Sequence, residues 1–255
     1  MASSPTSPRR ESFTSFDGVE LVWFELGQGR PVVLLHGLFS NAHTNWIKFG
    51  HAAEIAGRGF RVIMPDLRAH GASAAPHDPS LYPPDVLVRD AEALVAHLDL
   101  RDFDLGGFSL GARTVASMLI RGASPRRAVL AGMGLEGLTG WTRRRDFFIE
   151  SIDRRREVSH GDRHWLAVQF MKTMKIDAAA ARLLLASPTD IEAGKLAAVG
   201  VPTLVLCGSE DQDNGSAEAL AAAIPGARFV EVPGTHMSSV TRPELGRAIA
   251  DFLAA

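Results

Sequence analysis

Short, mostly apolar runs recur along the chain, separated by longer segments in which apolar residues follow helical spacing. Such runs are typical of strands that are buried on both faces of a parallel sheet. They predict strands at 31–35, 60–64, 127–131, 201–207 and 228–232. Strands that alternate with helices in this way indicate a parallel sheet with helices on both faces.

Three segments predict the helices that connect or follow these strands. The first opens at Tyr82-Pro83-Pro84, because proline suits a first helical turn, and its apolar positions are Leu87, Ala91, Leu94, Val95 and Leu98. A second helix is predicted over 110–122. The last begins where Thr241 and Glu244 form a capping-box pattern, and its buried stripe consists of Leu245, Ile249 and Phe252.

The stretch from 134 to 194 breaks the alternation of strands and helices. Its pattern is helical in character and contains no convincing strand. It separates the strand at 127–131 from the strand at 201–207. The pattern therefore predicts an insertion of helices between two strands of the sheet.

Composition is compatible with this architecture and narrows the classes of partner. A chain of 255 residues with 46% apolar residues is large enough for one α/β domain that carries an insertion. The net charge of −2 gives no reason to expect a nucleic-acid or membrane-surface partner. No run of about eighteen apolar residues occurs, so no transmembrane helix is predicted. We expect a small-molecule substrate, and nothing in the sequence predicts an oligomeric state.

The single cysteine and the N-terminal residues indicate in which cellular compartment the protein is expected. Cys207 is the single cysteine, lies in a predicted strand and is expected to be a buried, unreactive core residue. It cannot form an intramolecular disulfide, which fits a reducing compartment. Residues 1–14 are rich in Ser, Pro and Arg and are predicted to be disordered. No apolar stretch follows Arg9-Arg10, so we expect no export signal and a cytoplasmic location.

The candidate chemistry begins at Ser109. Gly107, Ser109 and Gly111 form a Gly-x-Ser-x-Gly pattern between a strand-like and a helix-like run. Such a pattern predicts a sharp strand-to-helix turn with the serine hydroxyl at its tip. Glycine is required on both sides because strand and helix backbones approach each other too closely for side chains. The pattern alone is common, so the surrounding sequence must support it.

An acid and a histidine follow Ser109 in the order that a catalytic triad of this kind requires. The strand at 201–207 breaks at Gly208, which places Asp211 just beyond its carboxyl end. The strand at 228–232 is followed by His236, the one histidine between the last strand and the last helix. Serine, acid and histidine thus lie at three predicted strand ends.

Two further segments complete a family resemblance. The strand at 31–35 ends in His36-Gly37-Leu38-Phe39, and residues 66–73 match the pattern Asp-x-Arg-x-x-Gly-x-Ser. With the Ser109 turn and its partners, these segments resemble the α/β-hydrolase superfamily of serine hydrolases. The resemblance covers about residues 15–255.

The resemblance implies a fold and a set of roles. It implies an α/β-hydrolase fold, in which a mostly parallel sheet flanked by helices forms the core from 15–133 and 195–255 and a helical cap spans 134–194. Ser109 would be the nucleophile, His236 the base and Asp211 the acid, with the backbone N–H groups of Leu38 and Leu110 forming the oxyanion hole. Family spacing favours Asp211 as the acid over Asp213 and Glu210.

The cap would cover an apolar substrate pocket above Ser109. We expect this pocket to be lined by five side chains, namely Phe39, Phe108, Trp141, Phe147 and Met171. The alternative is that the large apolar side chains of the cap form its own core. The arginine runs at 143–145 and 154–156 would be solvated surface or, alternatively, a face that recognises an anion.

The remaining histidines suggest supporting roles. We expect His36 to shape the oxyanion turn by bonding to nearby backbone, and His43 and His70 to be solvated or structural. His160 and His164 are four residues apart but have no glutamate between them and no third ligand, so we predict no metal site. The triad chemistry requires no organic cofactor either.

The nucleophile type restricts the reaction. The related haloalkane dehalogenases and epoxide hydrolases place aspartate where this chain has serine, and serine indicates acyl transfer. We expect a carboxylesterase-like hydrolase that cleaves a carboxylic ester, thioester or lactone of a small to medium substrate. Alternatives are a carbon–carbon bond hydrolase, a cofactor-free perhydrolase, or a low-turnover ligand receptor on the same scaffold.

Overall fold

A computed structural model describes residues 7–255, and its centre is one eight-stranded sheet. The strands, in chain order, are β1 (Arg9–Thr14), β2 (Glu20–Gly27), β3 (Arg30–Leu35), β4 (Phe60–Pro65), β5 (Asp104–Phe108), β6 (Ala128–Ala131), β7 (Thr203–Gly208) and β8 (Arg228–Val232). Their order across the sheet is β1-β2-β4-β3-β5-β6-β7-β8. The pairs β1–β2 and β2–β4 are antiparallel, and all other pairs are parallel.

Ten α-helices occur in the described part of the chain. They are α1 (His51–Gly57), α2 (Val86–His97), α3 (Leu110–Ile120), α4 (Leu135–Thr139), α5 (Trp141–Asp153), α6 (Trp165–Thr173), α7 (Ala178–Leu185), α8 (Ala217–Ala223), α9 (His236–Ser239) and α10 (Pro243–Ala254). A π-helical turn at His43–Ile47 and 3-10 turns at Pro79–Leu81 and Ala193–Ala198 complete the elements. No described helix is long and apolar enough to cross a membrane.

Successive side chains of the inner strands pack into two separate hydrophobic cores, one on each face of the sheet. In β3, Val33 and Leu35 pack into the core beneath α2, α3 and α8, whereas Val32 and Leu34 pack into the core beneath α1 and α10. This division follows from the two-residue period of a strand. Both sheet faces are therefore covered, which explains why the inner strands are apolar at nearly every position.

The predicted fold class, a mostly parallel sheet flanked by helices, is confirmed. Each predicted strand and each of the three predicted helices corresponds to an observed element, with ends that differ by a few residues. The predicted capping box at Thr241 is wrong, because Thr241 Oγ1 donates to Ser238 O and the helix is preceded by Arg242 without a side-chain cap. A capping box exists instead at Thr235 and Ser238, where it starts α9.

The expected disorder of residues 1–14 is wrong for Arg9–Thr14. These residues form β1 and pair with β2 over the whole strand, from Arg9 opposite Glu25 to Thr14 opposite Glu20. Phe13 is the one buried side chain of β1 and packs edge-on against Trp23 at 5.9 Å. Backbone pairing holds such an edge strand, and composition does not reveal it. Residues 1–6 lie outside the described part of the chain.

The stretch between β6 and β7 contains α4 to α7, and in the described structure it forms no strand. Arg113 of α3 joins this stretch to the sheet domain. Its buried guanidinium donates to the carbonyl oxygens of Gly137, Leu138 and Thr189. The helices therefore rest on the element that directly follows Ser109.

Candidate active site

Ser109 lies at the sharp turn from β5 into α3, with φ 54° and ψ −113°. A non-glycine residue rarely adopts this conformation, which is typical of a strained serine turn. A Cβ atom on Gly107 would collide with the Gly111 backbone, and one on Gly111 would collide with Leu35 O. The two glycines of the motif thus allow α3 to lie against β5 and β3.

The structure brings Ser109, Asp211 and His236 together at the carboxyl ends of β5, β7 and β8. His236 Nε2 lies 3.1 Å from Ser109 Oγ, and His236 Nδ1 lies 2.8 Å from Asp211 Oδ2. When Nδ1–H donates to the carboxylate, Nε2 is left to accept the serine proton. The geometry therefore permits activation of the hydroxyl.

Among the three acidic residues after β7, Asp211 is buried and Glu210 and Asp213 are exposed. The Asp211 carboxylate also accepts the Asp213 N–H at 3.1 Å and the Cys207 thiol at 3.4 Å. Burial raises the pKa of Asp211, but the hydrogen bond and charge of His236, together with these two donors, lower the pKa below its ordinary value. Asp211 is thus ionised at neutral pH.

The turn after β3 lies directly against Ser109. A Cβ atom on Gly37 would be 3.5 Å from Ser109 Cβ. The Gly37 N–H donates to Asn45 Oδ1 and the Phe39 N–H donates to His70 Nε2, both at 3.0 Å. The Leu38 N–H between them has no acceptor in the described part of the chain, which leaves it available to a ligand.

The Leu110 N–H begins α3 and belongs to the first helical turn, whose amides have no carbonyl one turn earlier to bond. Both predicted oxyanion donors are therefore backbone groups without a partner within their own elements. The positive end of the α3 dipole lies at the same point and favours negative charge.

Two buried histidines hold the turn after β3. His36 donates from Nδ1 to Gly37 O and accepts the Leu67 N–H at Nε2, whereas His70 donates from Nδ1 to Arg68 O and accepts the Phe39 N–H at Nε2. Each ring accepts a backbone N–H, so both imidazoles are neutral. Burial lowers the pKa of His36 to about 4 and that of His70 to about 3.

Residues 66–73 support this turn from behind. Asp66 accepts the N–H groups of Ala42 at 2.8 Å and Ala72 at 2.7 Å. Burial raises the pKa of Asp66, and these two hydrogen bonds only partly oppose the rise. Arg68 is fully buried and pairs with both Asp17 and Asp90. Sequence reasoning did not assign the partners of Arg68, because Asp17 and Asp90 lie far from it in the chain.

Two of the five predicted pocket residues lie beside the triad. The ring of Phe108 is 5.0 Å from the ring of His236. Phe39 belongs to the turn after β3 and packs edge-on against Phe148 of α5 at 5.6 Å. Phe148 is one of the large apolar side chains of the helical stretch for which the sequence leaves pocket lining and cap core both open. Its proximity to Phe39 depends on how α5 folds over the sheet, which helical spacing does not reveal.

The other three predicted residues lie on α5 and α6. Trp141 is buried, with its indole N–H on Leu185 O at 3.2 Å and its ring against Arg113. Phe147 is half-buried and stacks on His164 at 4.6 Å, and Met171 is buried in the core that also contains Trp141. Trp141 thus packs α5 on α7 and α3, and its place in the pocket lining stays a prediction.

One cluster of possible metal ligands occurs among the described residues. Ligand atoms of Asp211, Asp213 and His236 lie within 4.8 Å of one another. However, Asp211 and His236 already bond each other and Ser109. The cluster therefore fits proton transfer better than metal binding. The two cap histidines are separated, since His164 bonds Ser151 and His160 contacts Trp165.

A mostly parallel sheet with a strained serine turn, and with an acid and a histidine at later strand ends, defines a known class of α/β enzymes. A model of the Alpha/beta hydrolase family matches residues 32–246, and the chain belongs to this family.

Comparison with curated proteins shows a partial match. A non-heme haloperoxidase from Rhodococcus erythropolis is 38% identical over 126 residues, which are 47% of this chain and 42% of that protein. Similar matches to other proteins span about two fifths of their length.

Solved structures match over nearly the whole chain. The esterase EaEST from Exiguobacterium antarcticum has a TM-score of 0.79 and 20% identity, and the match covers 96% of this chain and 99% of that one. A thermophilic esterase from Thermogutta terrifontis has a TM-score of 0.75 and 25% identity, over 96% and 98% of the two chains. These similarities establish the shared fold.

Proposed function

We propose that the protein is a serine hydrolase that cleaves a carboxylic ester, thioester or lactone of a small to medium substrate through an acyl-enzyme on Ser109. The observation that carries this proposal is the continuous chain of hydrogen bonds from Ser109 Oγ through His236 to Asp211. An isolated serine hydroxyl is too weak an acid to react at neutral pH, and His236 in this hydrogen-bonded series supplies the base that it needs.

In the first half of the reaction, Ser109 Oγ attacks the carbonyl carbon while His236 Nε2 takes the hydroxyl proton. Asp211 holds the imidazole by Nδ1 and stabilises its protonated form. The carbonyl oxygen becomes an oxyanion, for which Leu38 and Leu110 would supply N–H donors. Losing one such donor typically costs about 3–4 kcal/mol of transition-state stabilisation.

The tetrahedral intermediate then breaks toward products. His236 returns the proton to the departing alcohol or thiol, and Ser109 keeps the acyl group. In the second half, His236 removes a proton from a water molecule as the water oxygen attacks the acyl carbon. When this second tetrahedral intermediate breaks, His236 gives the proton to Ser109 Oγ and the carboxylic acid leaves. These steps use only side chains and backbone amides of this chain.

A fluorophosphonate probe and a panel of 4-nitrophenyl esters test the proposal. We expect covalent labelling at Ser109 and repeated turnover of short acyl esters, and we expect Ser109→Ala to lose both. Labelling without multiple turnovers would instead favour a receptor on this scaffold. Labelling with activity only on carbon–carbon substrates would overturn ester cleavage.

A second candidate function is perhydrolysis, and the 38% identity to a protein named as a non-heme haloperoxidase favours it. Hydrogen peroxide would replace water in the second half of the reaction, so that the acyl group leaves as a peracid and Ser109 is regenerated. Turnover with acetate and hydrogen peroxide, read as peracid formation, distinguishes this activity from ester hydrolysis. Absence of peracid in an enzyme that turns over esters would exclude it.

A further inference from the structure

The guanidinium of Arg144 lies between the loop after β7 and the ring of Phe148, one turn further along α5. On one side it donates to Asp213 O, in the loop that holds Asp211. On the other side it lies 5.7 Å from the ring centre of Phe148, which packs on Phe39 of the turn after β3. In the sheet, β3 and β7 lie on opposite sides of β5. Arg144 therefore contacts the acid loop directly and the turn after β3 through Phe148, and these two segments follow strands on either side of β5.

The guanidinium of Arg144 has few hydrogen-bond acceptors among the described residues. Arg144 is half-buried, and among the described residues it has one acceptor, Asp213 O, and forms no ion pair with a carboxylate. Burial lowers the pKa of Arg144, against the opposing charges of Asp213 and Asp211, and Arg143 lowers it further. Since guanidinium has five N–H donors, most of its hydrogen-bonding capacity points to no protein acceptor.

Most other arginines of the same region do not share this situation, and Arg155, which is also half-buried with one acceptor, Ile152 O, lies beyond the end of α5. Arg113 donates to three carbonyl oxygens. Arg145 pairs with Asp146, Arg154 with Glu150 and Asp162, and Arg163 with Glu150. Arg143, next to Arg144, is exposed to solvent. A partly desolvated and unpaired cation is costly, and a planar guanidinium matches a carboxylate with two parallel hydrogen bonds.

Two acidic groups lie near Arg144, and neither takes the place of such a ligand. Asp211 is bonded to His236, the Asp213 amide and Cys207. Asp213 is exposed, so water screens its carboxylate. The guanidinium therefore keeps N–H donors that neither carboxylate occupies.

We propose that Arg144 binds a carboxylate of the substrate, so that the preferred substrates are esters that carry a free carboxylate near the scissile bond. The proposal rests on the function proposed above and narrows it to a substrate class. The carboxylate belongs to the acyl half, as in a monoester of a dicarboxylic acid, or to the alcohol half. Arg144 would recognise the carboxylate in the same way in both halves of the ester, and the experiment below distinguishes the acyl half from the alcohol half.

Two ester pairs that differ in charge test the proposal. Mono-4-nitrophenyl glutarate and its methyl ester place the charge in the acyl half; 3-carboxyphenyl butyrate and phenyl butyrate place it in the alcohol half. In one pair we expect the anionic member to have at least about tenfold higher kcat/KM, because a charge-assisted pair is worth that much. Arg144→Gln should bring this ratio of kcat/KM values close to one. Arg143→Gln and Asp213→Asn should keep it.

Two results would overturn the proposal. One is a wild-type protein with no anionic preference in either pair. The other is an Arg144→Gln variant that loses activity equally on both members, because that result assigns Arg144 a purely structural tie to the acid loop. Thermal unfolding of each variant confirms that it is folded.

Binding measurements separate this proposal from the proposed hydrolysis. If no ester is turned over, glutarate binding to Ser109→Ala is compared with binding to the Ser109→Ala/Arg144→Gln double variant by calorimetry. At least about tenfold weaker binding by the double variant supports carboxylate recognition even where ester cleavage fails. Equal affinity overturns it.

Discussion

Ser109 has an unfavourable backbone conformation, and its surroundings impose it. A positive φ at a non-glycine residue costs about 1–3 kcal/mol, yet the Ser109 N–H donates to Ala131 O at 2.8 Å and fixes the turn. Phe39 and Ala69 also have positive φ values, of 57° and 64°. These two residues belong to the segments that build the turn beside Ser109. Strain is therefore stored around the site where reactivity is proposed.

Replacing the acid tests which carboxylate serves His236. Asp211→Asn keeps the side-chain shape but removes the charge and can favour the wrong imidazole tautomer, so we expect kcat/KM for 4-nitrophenyl butyrate to fall by roughly 10³- to 10⁴-fold. Asp213→Asn removes an exposed charge and should change kcat/KM by less than about threefold. Steady-state kinetics measure both, and the reverse pattern would assign the acid to Asp213.

Cys207 should be chemically inert in the folded protein. Burial, with a further contribution from the charge of Asp211, raises the pKa of the thiol to about 12, and the side chain is 5% exposed. Because the thiolate is the reactive form, we expect no reaction with a thiol reagent at pH 8 and one equivalent after unfolding in denaturant. Rapid labelling of the native protein would contradict this prediction.

At the scale of elements, the unit that carries the site is β5, the Ser109 turn and α3, packed against β3. Its close approach depends on glycine at two positions of the motif and on the parallel pairing of β3 with β5. Helix α4 meets the same unit through Arg113, which donates to the carbonyl oxygens of Gly137 and Leu138. A change in α3 is therefore transmitted both to the serine and to the region above it.

Gly111 tests this packing. Gly111→Ala places a Cβ against the backbone oxygen of Leu35, which cannot move without disturbing β3, so we expect a loss of about 2–4 kcal/mol in the free energy of unfolding. Gly57, at the end of α1, has open space around a Cβ, and Gly57→Ala should gain up to about 1 kcal/mol. Denaturant unfolding compares the two. Equal stability would contradict the close approach at Gly111.

At the scale of the whole molecule, contacts distant in sequence join the loops at the carboxyl edge of the sheet. Two neutral histidines link the turn after β3 to residues 66–73, and Arg68 links that segment to Asp17 and Asp90. His36 and His70 pack edge to face at 5.2 Å. Protonating either ring would remove an acceptor and place a charge in a buried space.

Stability should therefore depend on pH through these histidines. His36 and His70 have folded pKa values of about 4 and 3, below the value of about 6.5 of an unfolded chain. As the pH falls below about 6.5, the unfolded state binds protons first, so their contribution is complete above that pH and lost towards the folded pKa values. For His36 the loss amounts to about 3 kcal/mol.

Comparison of His70→Gln with the wild type isolates one of the two rings. Glutamine can retain both hydrogen bonds without titrating, so the free energy of unfolding should decline less steeply between pH 7 and pH 4 than in the wild type. Asp66, whose pKa is raised by burial and lowered by the charge of His70, is retained in both proteins. His43→Gln, at an exposed position, should keep the wild-type slope. Identical slopes for His70→Gln would contradict neutral burial of His70.

The sequence by itself determined the inner strands, the helices between them, and the order of Ser109, Asp211 and His236 at strand ends. These features follow from local rules, because apolar periodicity selects the element and glycine permits the turn. Edge strand β1 escaped prediction because its pairing with β2 uses backbone groups, with Phe13 as its one buried side chain. The capping box was misplaced because Thr235 and Thr241 both offer a suitable hydroxyl.

Tertiary structure alone decided how distant segments meet. It joined Asp211, which family spacing already favoured, to His236, set Cys207 against the same carboxylate, and packed Trp141 of α5 on α7. It also left Arg144 of one arginine run between the two sides of the site. Spacing along one element fixes which residues share a face, whereas the side chain that each face meets depends on the docking of separate elements.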